Sequence, residues 1–286
     1  GDMSALDEIR AERLKKLRIL TERGINPYPA VSNRTHMIGA ALADFDVLVS
    51  SGEIITIAGR VLVIRGQGAI LFLDILDGSG KFQTVLKSDV LDGDAFTLFK
   101  DVVDSGDFIE VSGTLFTTEK GQRSILVSSW RMLSKSLLPL PDKYHGLQNE
   151  EERFRKRYLD LLMHGDMRSM FVRKERFWDV TRLFLKKRGF LEVETPTLEV
   201  TTGGAEARPF QTHHNDFDID VYLRISVGEL WQKRLLASGF DKTFEIGRTF
   251  RNEGTSPNHL QEFTNMEFYW GYANYEDGMA LVEDMY

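Results

Sequence analysis

The chain contains no cysteine and only 7 prolines in its 286 residues. Without thiols it can form neither disulfides nor cysteine-based zinc sites, and such a composition is typical of a reducing compartment, which predicts a cytoplasmic location. No apolar stretch approaches the ~20 residues that a membrane-spanning helix needs. The amino terminus also lacks the apolar segment of a signal peptide, so we expect no membrane association.

The chain has no large excess of acidic or basic residues. Its formal net charge is −7, and 28% of the residues are charged. A slightly acidic chain is not expected to bind nucleic acid broadly, although a local basic surface is compatible with that charge. With 42% hydrophobic residues, the chain has the composition of an ordinary globular protein. Its length suits two domains better than one.

Five predicted β-strands lie between Ile54 and Leu133, and a helix at about 94–103 separates the third strand from the fourth. This arrangement is typical of an OB-fold barrel, a common oligonucleotide-binding fold. Another type of small barrel is the alternative that the pattern leaves open. The predicted division is a helical extension at 1–50, the barrel domain at 51–137, a linker at 138–165 and a second domain at 166–286.

Apolar residues at helical spacing predict helices on both sides of the barrel. The stretch before the barrel consists of one amphipathic helix and a polar segment without regular structure up to Gly52. After the last helix, a strand is interrupted at Pro196. The predicted elements are helices at 4–23, 149–163 and 169–187 and the interrupted strand at 190–198.

The most informative feature is a predicted β-hairpin at 243–270. Side chains alternate across a strand, so one face of this hairpin is mostly apolar. The other face suits a flat, charged ligand better than bulk solvent, although a salt-bridged hairpin with a polar solvent face is an open alternative. Its guanidinium, two carboxylates, phenol and aromatic ring come from Arg251, Glu253, Glu267, Tyr269 and Phe263.

The chemistry that fits this face is activation of a carboxylate by a nucleotide. An arginine presents a planar fork of donors that matches a carboxylate or phosphate and stays charged. Phe263 offers a surface on which a base can stack, and Glu253 could accept a hydrogen bond from an exocyclic amine. His259, in the connecting loop, could reach terminal phosphates.

The hairpin sequence at 243–256 and 262–267 resembles motif 2 of the class II aminoacyl-tRNA synthetases. The preceding helix with residues 189–196 resembles motif 1, which builds the dimer interface in that family. Together with an amino-terminal barrel, the chain is similar to class IIb, whose members serve lysine, aspartate and asparagine. The resemblance implies an α+β fold, in which a five-stranded OB-fold barrel precedes a partial antiparallel catalytic sheet with helices.

Within class IIb, three stretches look specifically lysyl: 139–148 running on to 157–161, then 203–215, and 222–225 ahead of 229–235. The resemblance therefore implies ATP-dependent activation of lysine to lysyl-adenylate and transfer to tRNA(Lys). It also implies a homodimer formed through motif 1. An aspartyl- or asparaginyl-type enzyme and a truncated, non-catalytic RNA-binding paralogue are the alternatives.

The same resemblance assigns roles around ATP. Arg251 would hold the lysine carboxylate and the α-phosphate together, which reduces both the entropic and the electrostatic cost of attack. Phe263 would stack on adenine, Glu253 would bind the adenine amino group, and His259 would meet the outer phosphates.

For lysine, the resemblance implies that the Gly204 carbonyl, Glu229 and Glu267 receive the α-ammonium, with Tyr269 near the ε-ammonium. A carboxylate-rich pocket would reject acidic substrates by charge.

For the anticodon, the family uses the barrel face, where Arg65, Phe72 and Gln83 occupy the corresponding positions. Without the resemblance, Phe72 reads as a core side chain. Ser129 stands where the family often has a glutamate that contacts the anticodon. The adjacent His213 and His214 point to opposite faces of a strand, which favours a structural role over metal binding.

Two loops depart from the family pattern. Residues 258–262 replace the usual His-Asn-Pro-Glu, and residues 226–229 are one residue longer than the usual Ala-Pro-Glu.

The chain stops at Tyr286, after motif 2 and before motif 3. The late carboxylates that would hold Mg²⁺ and one end of the lysine are therefore expected outside it, and we expect no metal ligands in this chain. The sequence thus predicts a fragment that is inactive by itself.

Overall fold

The computed structural model describes residues 4–141, 147 and 149–286. The chain divides into two compact units, residues 1–163 and 164–286. The predicted division into four parts stays a prediction, and most of the lysyl-like stretch at 139–148 lies outside the described residues. Within the described part of the chain, every helix is too short or too polar to span a membrane.

The first unit is built around a closed five-stranded barrel with the strand order β1-β2-β3-β5-β4. One helix, α4, separates β3 from β4, so the predicted OB-fold arrangement is confirmed. The elements are α1 (Ala5–Glu22), α2 (Ile38–Ala43), α3 (Phe45–Ser51), β1 (Ile55–Arg65), β2 (Ile70–Leu76), β3 (Lys81–Lys87), α4 (Gly93–Val102), β4 (Phe108–Thr117), β5 (Arg123–Ser134), α5 (Glu150–Arg155) and α6 (Arg157–Met163).

Helices α2 and α3 correct the prediction of an irregular polar segment before Gly52. Ile38, Ala41, Phe45 and Leu48 are all buried in the barrel core. Their spacing of three or four residues is that of one helical face, so the apolar period was present in the sequence. Gly52 ends α3 in the left-handed conformation, with φ of 68°.

A second correction concerns the predicted continuous helix at 149–163, which the structure divides into α5 and α6 at Lys156. Asp160, in α6, is fully buried and accepts hydrogen bonds from the guanidinium groups of Arg153 and Arg157. Charge pairing of this buried carboxylate across the break explains the compact arrangement.

A buried arginine helps to fix helix α1 to the barrel, together with the fully buried Leu20 of the same helix. Arg13 is 7% exposed. Its Nη1 donates to the carbonyl oxygens of Ser136 at 3.2 Å and Leu138 at 3.1 Å, and its Nη2 donates to that of Ser105 at 3.0 Å. A single side chain thereby satisfies three backbone acceptors from two different loops.

Replacement of this anchor tests how strongly α1 is held. We expect Arg13→Ala to lower the free energy of unfolding of the first unit by about 2–4 kcal/mol, because three backbone carbonyls lose a charged donor. The measurement is urea-dependent hydrogen–deuterium exchange of the β4 and β5 peptides. Arg10→Ala, at an exposed position of the same helix, should change it by less than about 0.5 kcal/mol. Equal effects of the two variants would contradict the anchoring role.

The second unit contains two three-stranded sheets, with strand orders β11-β10-β6 and β7-β9-β8. The predicted strand at 190–198 is thus two short strands in different sheets, since Pro196 lies between them. The elements are α7 (Gly165–Lys187), β6 (Leu191–Glu192), β7 (Leu198–Glu199), β8 (Gln211–His214), β9 (Ile219–Leu223), α8 (Glu229–Ala237), β10 (Lys242–Phe250), β11 (Glu262–Trp270) and α9 (Tyr275–Met285).

The apolar face predicted for the hairpin forms the core of this unit. Phe244 from β10 and Phe268 from β11 pack in one cluster with Leu185 of α7 and Leu281 of α9. Phe190 contacts the ring of Phe268 edge-on, with centroids 5.6 Å apart. Because α7 and α9 cover this face, the polar face of the hairpin is the one left to form a site.

Candidate functional site

The polar face of the β10–β11 hairpin is partly covered by protein. In the register of the two strands, Thr243 lies opposite Tyr269 and Glu245 lies opposite Glu267. Thr243 and Glu245 are buried, as is Thr249 further along β10, whereas the five predicted site residues are half-buried or exposed. Burial of these three polar side chains counts against the alternative of a salt-bridged hairpin with a polar solvent face.

Strand β10 ends before two of the residues that were predicted to lie on its polar face. Arg251 and Glu253 were expected on β10, but β10 ends at Phe250. The backbone amide of Arg251 still donates to the Gln261 carbonyl at 2.8 Å, so strand-like pairing continues for one residue. Glu253 lies in the loop beyond, where its Oε1 accepts a hydrogen bond from the backbone amide of Arg208.

A buried ion pair holds the covering loops against the hairpin. Arg224 Nη1 lies 2.6 Å from Glu245 Oε1, and its Nε donates to the Arg248 carbonyl at 2.8 Å. The other carboxylate oxygen of Glu245 accepts a hydrogen bond from Thr195 Oγ1 at 2.5 Å. Gly247 is required beneath the guanidinium, because a Cβ there would lie 2.2 Å from Arg224 Nη2. The loop after β6, the end of β9 and strand β10 meet at this pair.

The buried segment that follows Arg224 reaches two of the predicted site residues. The carbonyl of Ile225 accepts a hydrogen bond from Arg251 Nε at 3.2 Å. The backbone amide of Val227 donates to Glu267 Oε1 at 3.0 Å, and Asn265 Nδ2 lies 3.3 Å from the same oxygen. Both a cation and a carboxylate of the candidate site therefore take their orientation from this segment.

Gly204 lies in the narrow space between the side chains of Ser226 and Glu229. Its φ is +92°, and a Cβ at this position would lie 2.1 Å from Ser226 Oγ and 2.3 Å from Glu229 Oε2. The other oxygen of Glu229, Oε1, lies 2.6 Å from Lys233 Nζ. Only glycine fits here, both for its conformation and for its size.

Tyr269 lies in the same acidic surroundings. Burial raises the pKa of its phenol, and the charges of Glu267 and Glu229 raise that pKa further. The phenol is therefore neutral and able to donate a hydrogen bond at neutral pH. The residues predicted for lysine other than Arg251, namely Gly204, Glu229, Glu267 and Tyr269, are linked to one another by these contacts and charges.

The four residues predicted for ATP line a single cavity of about 330 Å³. The guanidinium carbon of Arg251 lies 5.3 Å from the ring centroid of Phe263. His259 is exposed at the rim, where its Nδ1 lies 2.7 Å from Ser256 Oγ. The cavity residues are Arg251, Glu253, Gly254, Asn258, His259, Leu260, Gln261 and Phe263.

Arg251 lines this cavity, and the segment at 225–227 that holds it also holds Glu267. Its Nε is held by the Ile225 carbonyl. Within residues 4–141, 147 and 149–286, its two Nη atoms make no hydrogen bond or ion pair. A guanidinium group whose Nε is fixed and whose two Nη atoms are free can bind two anionic groups side by side.

The barrel carries a second candidate surface. Phe72 and Gln83 line a cavity of about 610 Å³, together with Phe116 and Lys87. Phe72 lies between buried residues of β2 but is itself half-buried and turned outward, so the core role considered for it is wrong. Arg65 does not line this cavity and instead forms an ion pair with Asp74 at 3.0 Å.

The paired histidines have structural partners, as expected. His213 Nδ1 lies 3.1 Å from Asp220 Oδ1, and His214 stacks on Phe217 with centroids 4.6 Å apart. Among the described residues, no group of three or more histidine or acidic side chains is placed to hold a metal ion.

Sequence reasoning assigned no role to Arg224, which was noted only within the stretch 222–225, and it noted Ser226 only as part of a loop of unusual length. Arg224 and Glu245 are 21 residues apart, and nothing local in the sequence pairs them. The alternation of β11 placed Asn265 on the same face as Glu267, but its contact with that carboxylate was not predicted.

Residues 149–286 match the family described as tRNA synthetases class II (D, K and N). Residues 55–133 match the OB-fold nucleic acid binding domain family. The chain thus belongs to the class II tRNA synthetases through its second unit and the helices before it, joined to an OB-fold domain.

Curated relatives that match the chain are lysine–tRNA ligases. The chain is 48% identical to the lysine–tRNA ligase of Roseiflexus castenholzii over 98% of its own length and 58% of that protein. It is 47% identical to that of Dehalococcoides mccartyi strain BAV1 and 45% identical to that of Carboxydothermus hydrogenoformans, over 97% and 98% of this chain and 56% and 57% of those proteins. The resemblance to lysyl-tRNA synthetases is confirmed. The chain spans a little over half the length of these relatives.

The two adjacent glycines provide a matched test of the site geometry. We expect Gly204→Ala to destabilise the second unit by about 2 kcal/mol or more, because the added carbon meets Ser226 and Glu229 in a left-handed backbone. Gly203→Ala should cost less than about 1 kcal/mol, since its Cβ would meet only the Leu230 side chain at 3.4 Å. Thermal unfolding of both variants gives the comparison, and similar losses would contradict the arrangement.

Proposed function

We propose that the whole protein to which this chain belongs is a lysine–tRNA ligase, which uses ATP to activate lysine and transfers it to tRNA(Lys). The observation that carries the proposal is the position of Arg251. Its Nε is fixed by the Ile225 carbonyl, its side chain lines the cavity with Phe263, and the same segment at 225–227 also holds Glu267. A guanidinium in this place can hold an amino acid carboxylate beside a nucleotide phosphate.

The proposed first step is attack of a lysine carboxylate oxygen on the α-phosphorus of ATP. A new phosphorus–oxygen bond forms, the bond to the β-phosphate breaks, and pyrophosphate leaves with the electron pair. No general base is needed, because the carboxylate is already ionised at neutral pH. Arg251 brings the two anions together and stabilises the charge that develops on the phosphoryl oxygens. In the second step, a terminal ribose hydroxyl of tRNA takes the acyl group and AMP leaves.

Recognition of lysine is assigned to the acidic group. The Gly204 carbonyl, Glu229 and Glu267 would accept from the α-ammonium, and Tyr269 would lie near the ε-ammonium. Lys233 occupies Oε1 of Glu229, which leaves Oε2, the oxygen next to Gly204, for the ligand. An aspartate side chain would meet like charge here, and this supports lysine over an acidic substrate.

Recognition of ATP is assigned to the cavity. Phe263 would stack on the adenine ring, and His259 at the exposed rim would approach the outer phosphates. Glu253 uses Oε1 for the Arg208 amide, so its second oxygen is available for the adenine amino group. Class II synthetases use ATP with Mg²⁺, and the metal ligands are expected in the remainder of the whole protein.

Two further parts of the proposal concern partners. The barrel surface with Phe72, Gln83 and Arg65 would bind the anticodon of tRNA(Lys), with Phe72 as the stacking platform. A homodimer through α7 is supported by exposed apolar side chains on that helix, including Phe177, Val180 and Leu183. The absence of cysteine supports a cytoplasmic location.

ATP–pyrophosphate exchange by the whole protein, screened across the twenty amino acids, tests the proposal. We expect exchange with lysine alone. Exchange with aspartate or asparagine would replace lysine with one of the other class IIb substrates, and silence with all twenty would contradict amino acid activation altogether.

The role of Arg251 is tested by comparing its alanine variant with that of Arg248, an arginine on the same hairpin. We expect Arg251→Ala to lower kcat/KM for lysine activation by about 100-fold or more, because a preorganised charge is lost. Arg248→Ala should stay within about threefold, since the Arg248 side chain is 58% exposed and forms only a surface ion pair with Glu262. Comparable losses in both variants would count against a special role for Arg251.

The barrel surface is tested separately. We expect Phe72→Ala to weaken binding of tRNA(Lys) by about 10- to 100-fold through the loss of one stacked base. Phe108→Ala, at a 40% exposed phenylalanine outside this cavity, should leave the affinity unchanged. Electrophoretic mobility shift or fluorescence anisotropy provides the measurement, and an unchanged Phe72→Ala affinity would remove this residue from the interface.

A further inference from the structure

Residues 226–228, ahead of α8, form a tight buried turn. Gly228 is left-handed, with φ of 70°, at the start of α8. A Cβ on Gly228 would lie 2.3 Å from Thr195 Oγ1. The turn is thus pressed against the loop after β6, and its path is fixed before it reaches Glu229. Ser226 and Val227, in the middle of the turn, are 3% and 0% exposed.

Ser226 makes one directed contact from this turn. Its hydroxyl donates to the carbonyl of Gly203 at 2.6 Å, across 23 positions of the sequence. The same hydroxyl oxygen adjoins Gly204, with Glu229 on the other side of that glycine. Ser226 and Glu229 therefore form the two walls of the space that Gly204 occupies.

This bond is important because little else holds the loop at 200–207. Among the residues that the structure describes, it is the only hydrogen bond between 200–207 and any other part of the chain. The loop lies beyond the last ladder residue of β7, Glu199, so no strand pairing continues into it. A carbonyl in such a loop has a defined direction only while its neighbouring peptide is fixed.

We propose that Ser226 is a positioning residue of the amino acid site. Its hydroxyl fixes the Gly203 carbonyl and thereby aims the Gly204 carbonyl at the α-ammonium of the substrate. This inference rests on the proposed function, because it concerns the same ammonium group. Ser226 itself does not touch the reacting atoms, so its effect falls on substrate binding.

The expected signature is a split between kinetic constants. Ser226→Ala should raise KM for lysine in ATP–pyrophosphate exchange by about tenfold, because the loss of one buried hydrogen bond weakens binding equally in the ground and transition states. KM for ATP and kcat should stay within about twofold, since the ATP cavity does not include this loop. General damage to the unit would move all three constants.

Ser238→Ala is the matched control. The Ser238 hydroxyl also donates to a backbone carbonyl, that of Leu235 at 2.7 Å, but at the far end of α8. In Ser238→Ala, KM for lysine, KM for ATP and kcat should all equal the wild-type values. The inference would be overturned if Ser226→Ala kept its KM for lysine within twofold of the wild-type value. It would also be overturned if the KM for ATP rose as much as the KM for lysine.

Hydrogen–deuterium exchange separates this inference from the proposed function. Ser226→Ala should speed exchange of the peptide at 200–207 by about tenfold without substrate, while Ser238→Ala leaves it unchanged. If the unchanged protein shows no lysine-dependent pyrophosphate exchange, the proposed function fails. The deuterium measurement then still decides whether Ser226 fixes this loop, and equal exchange rates would show that it does not.

Discussion

The candidate site depends on the buried ion pair between Arg224 and Glu245. Both side chains are about 5% exposed, and their charges can be accommodated there because they pair with each other and each makes further hydrogen bonds. Arg224 also binds the Arg248 carbonyl, and Glu245 also binds Thr195. Removal of either partner would leave an uncompensated buried charge, which typically costs about 3–5 kcal/mol. The pair therefore helps to fix three chain segments, namely the loop after β6, the end of β9 and strand β10.

The site follows directly from this constraint. Once Arg224 is fixed, the three residues after it have little freedom, and each contacts a different part of the site. Ile225 orients Arg251, Ser226 fixes the Gly203 carbonyl, and Val227 holds Glu267. The cation that would bind two anions and the carboxylates that would bind ammonium are thus set by one short buried segment. A change far from the ligand could alter affinity through it.

Local patterns predicted much of this fold, and contacts distant in sequence explain the rest. The two faces of the hairpin followed from a period of two, and Phe244 and Phe268 are in the core as expected. The Arg224–Glu245 pair could not be predicted, since a period says which face a residue occupies and not what covers it. Helix α2 was missed although Ile38 and Ala41 have helical spacing, because six residues are too few for a clear period. The outward direction of Phe72 also followed only from the closed barrel.

The central claim is that Arg251 and the acidic group form one site for an activated lysine. Calorimetric titration of the whole protein with non-hydrolysable analogues of lysyl-adenylate and aspartyl-adenylate tests it most directly. The lysyl analogue should bind about 100-fold or more tighter than the aspartyl analogue, because the charges of Glu229 and Glu267 around Tyr269 favour the ε-ammonium and repel a side-chain carboxylate. Equal affinities, or tighter binding of the aspartyl analogue, would contradict the account.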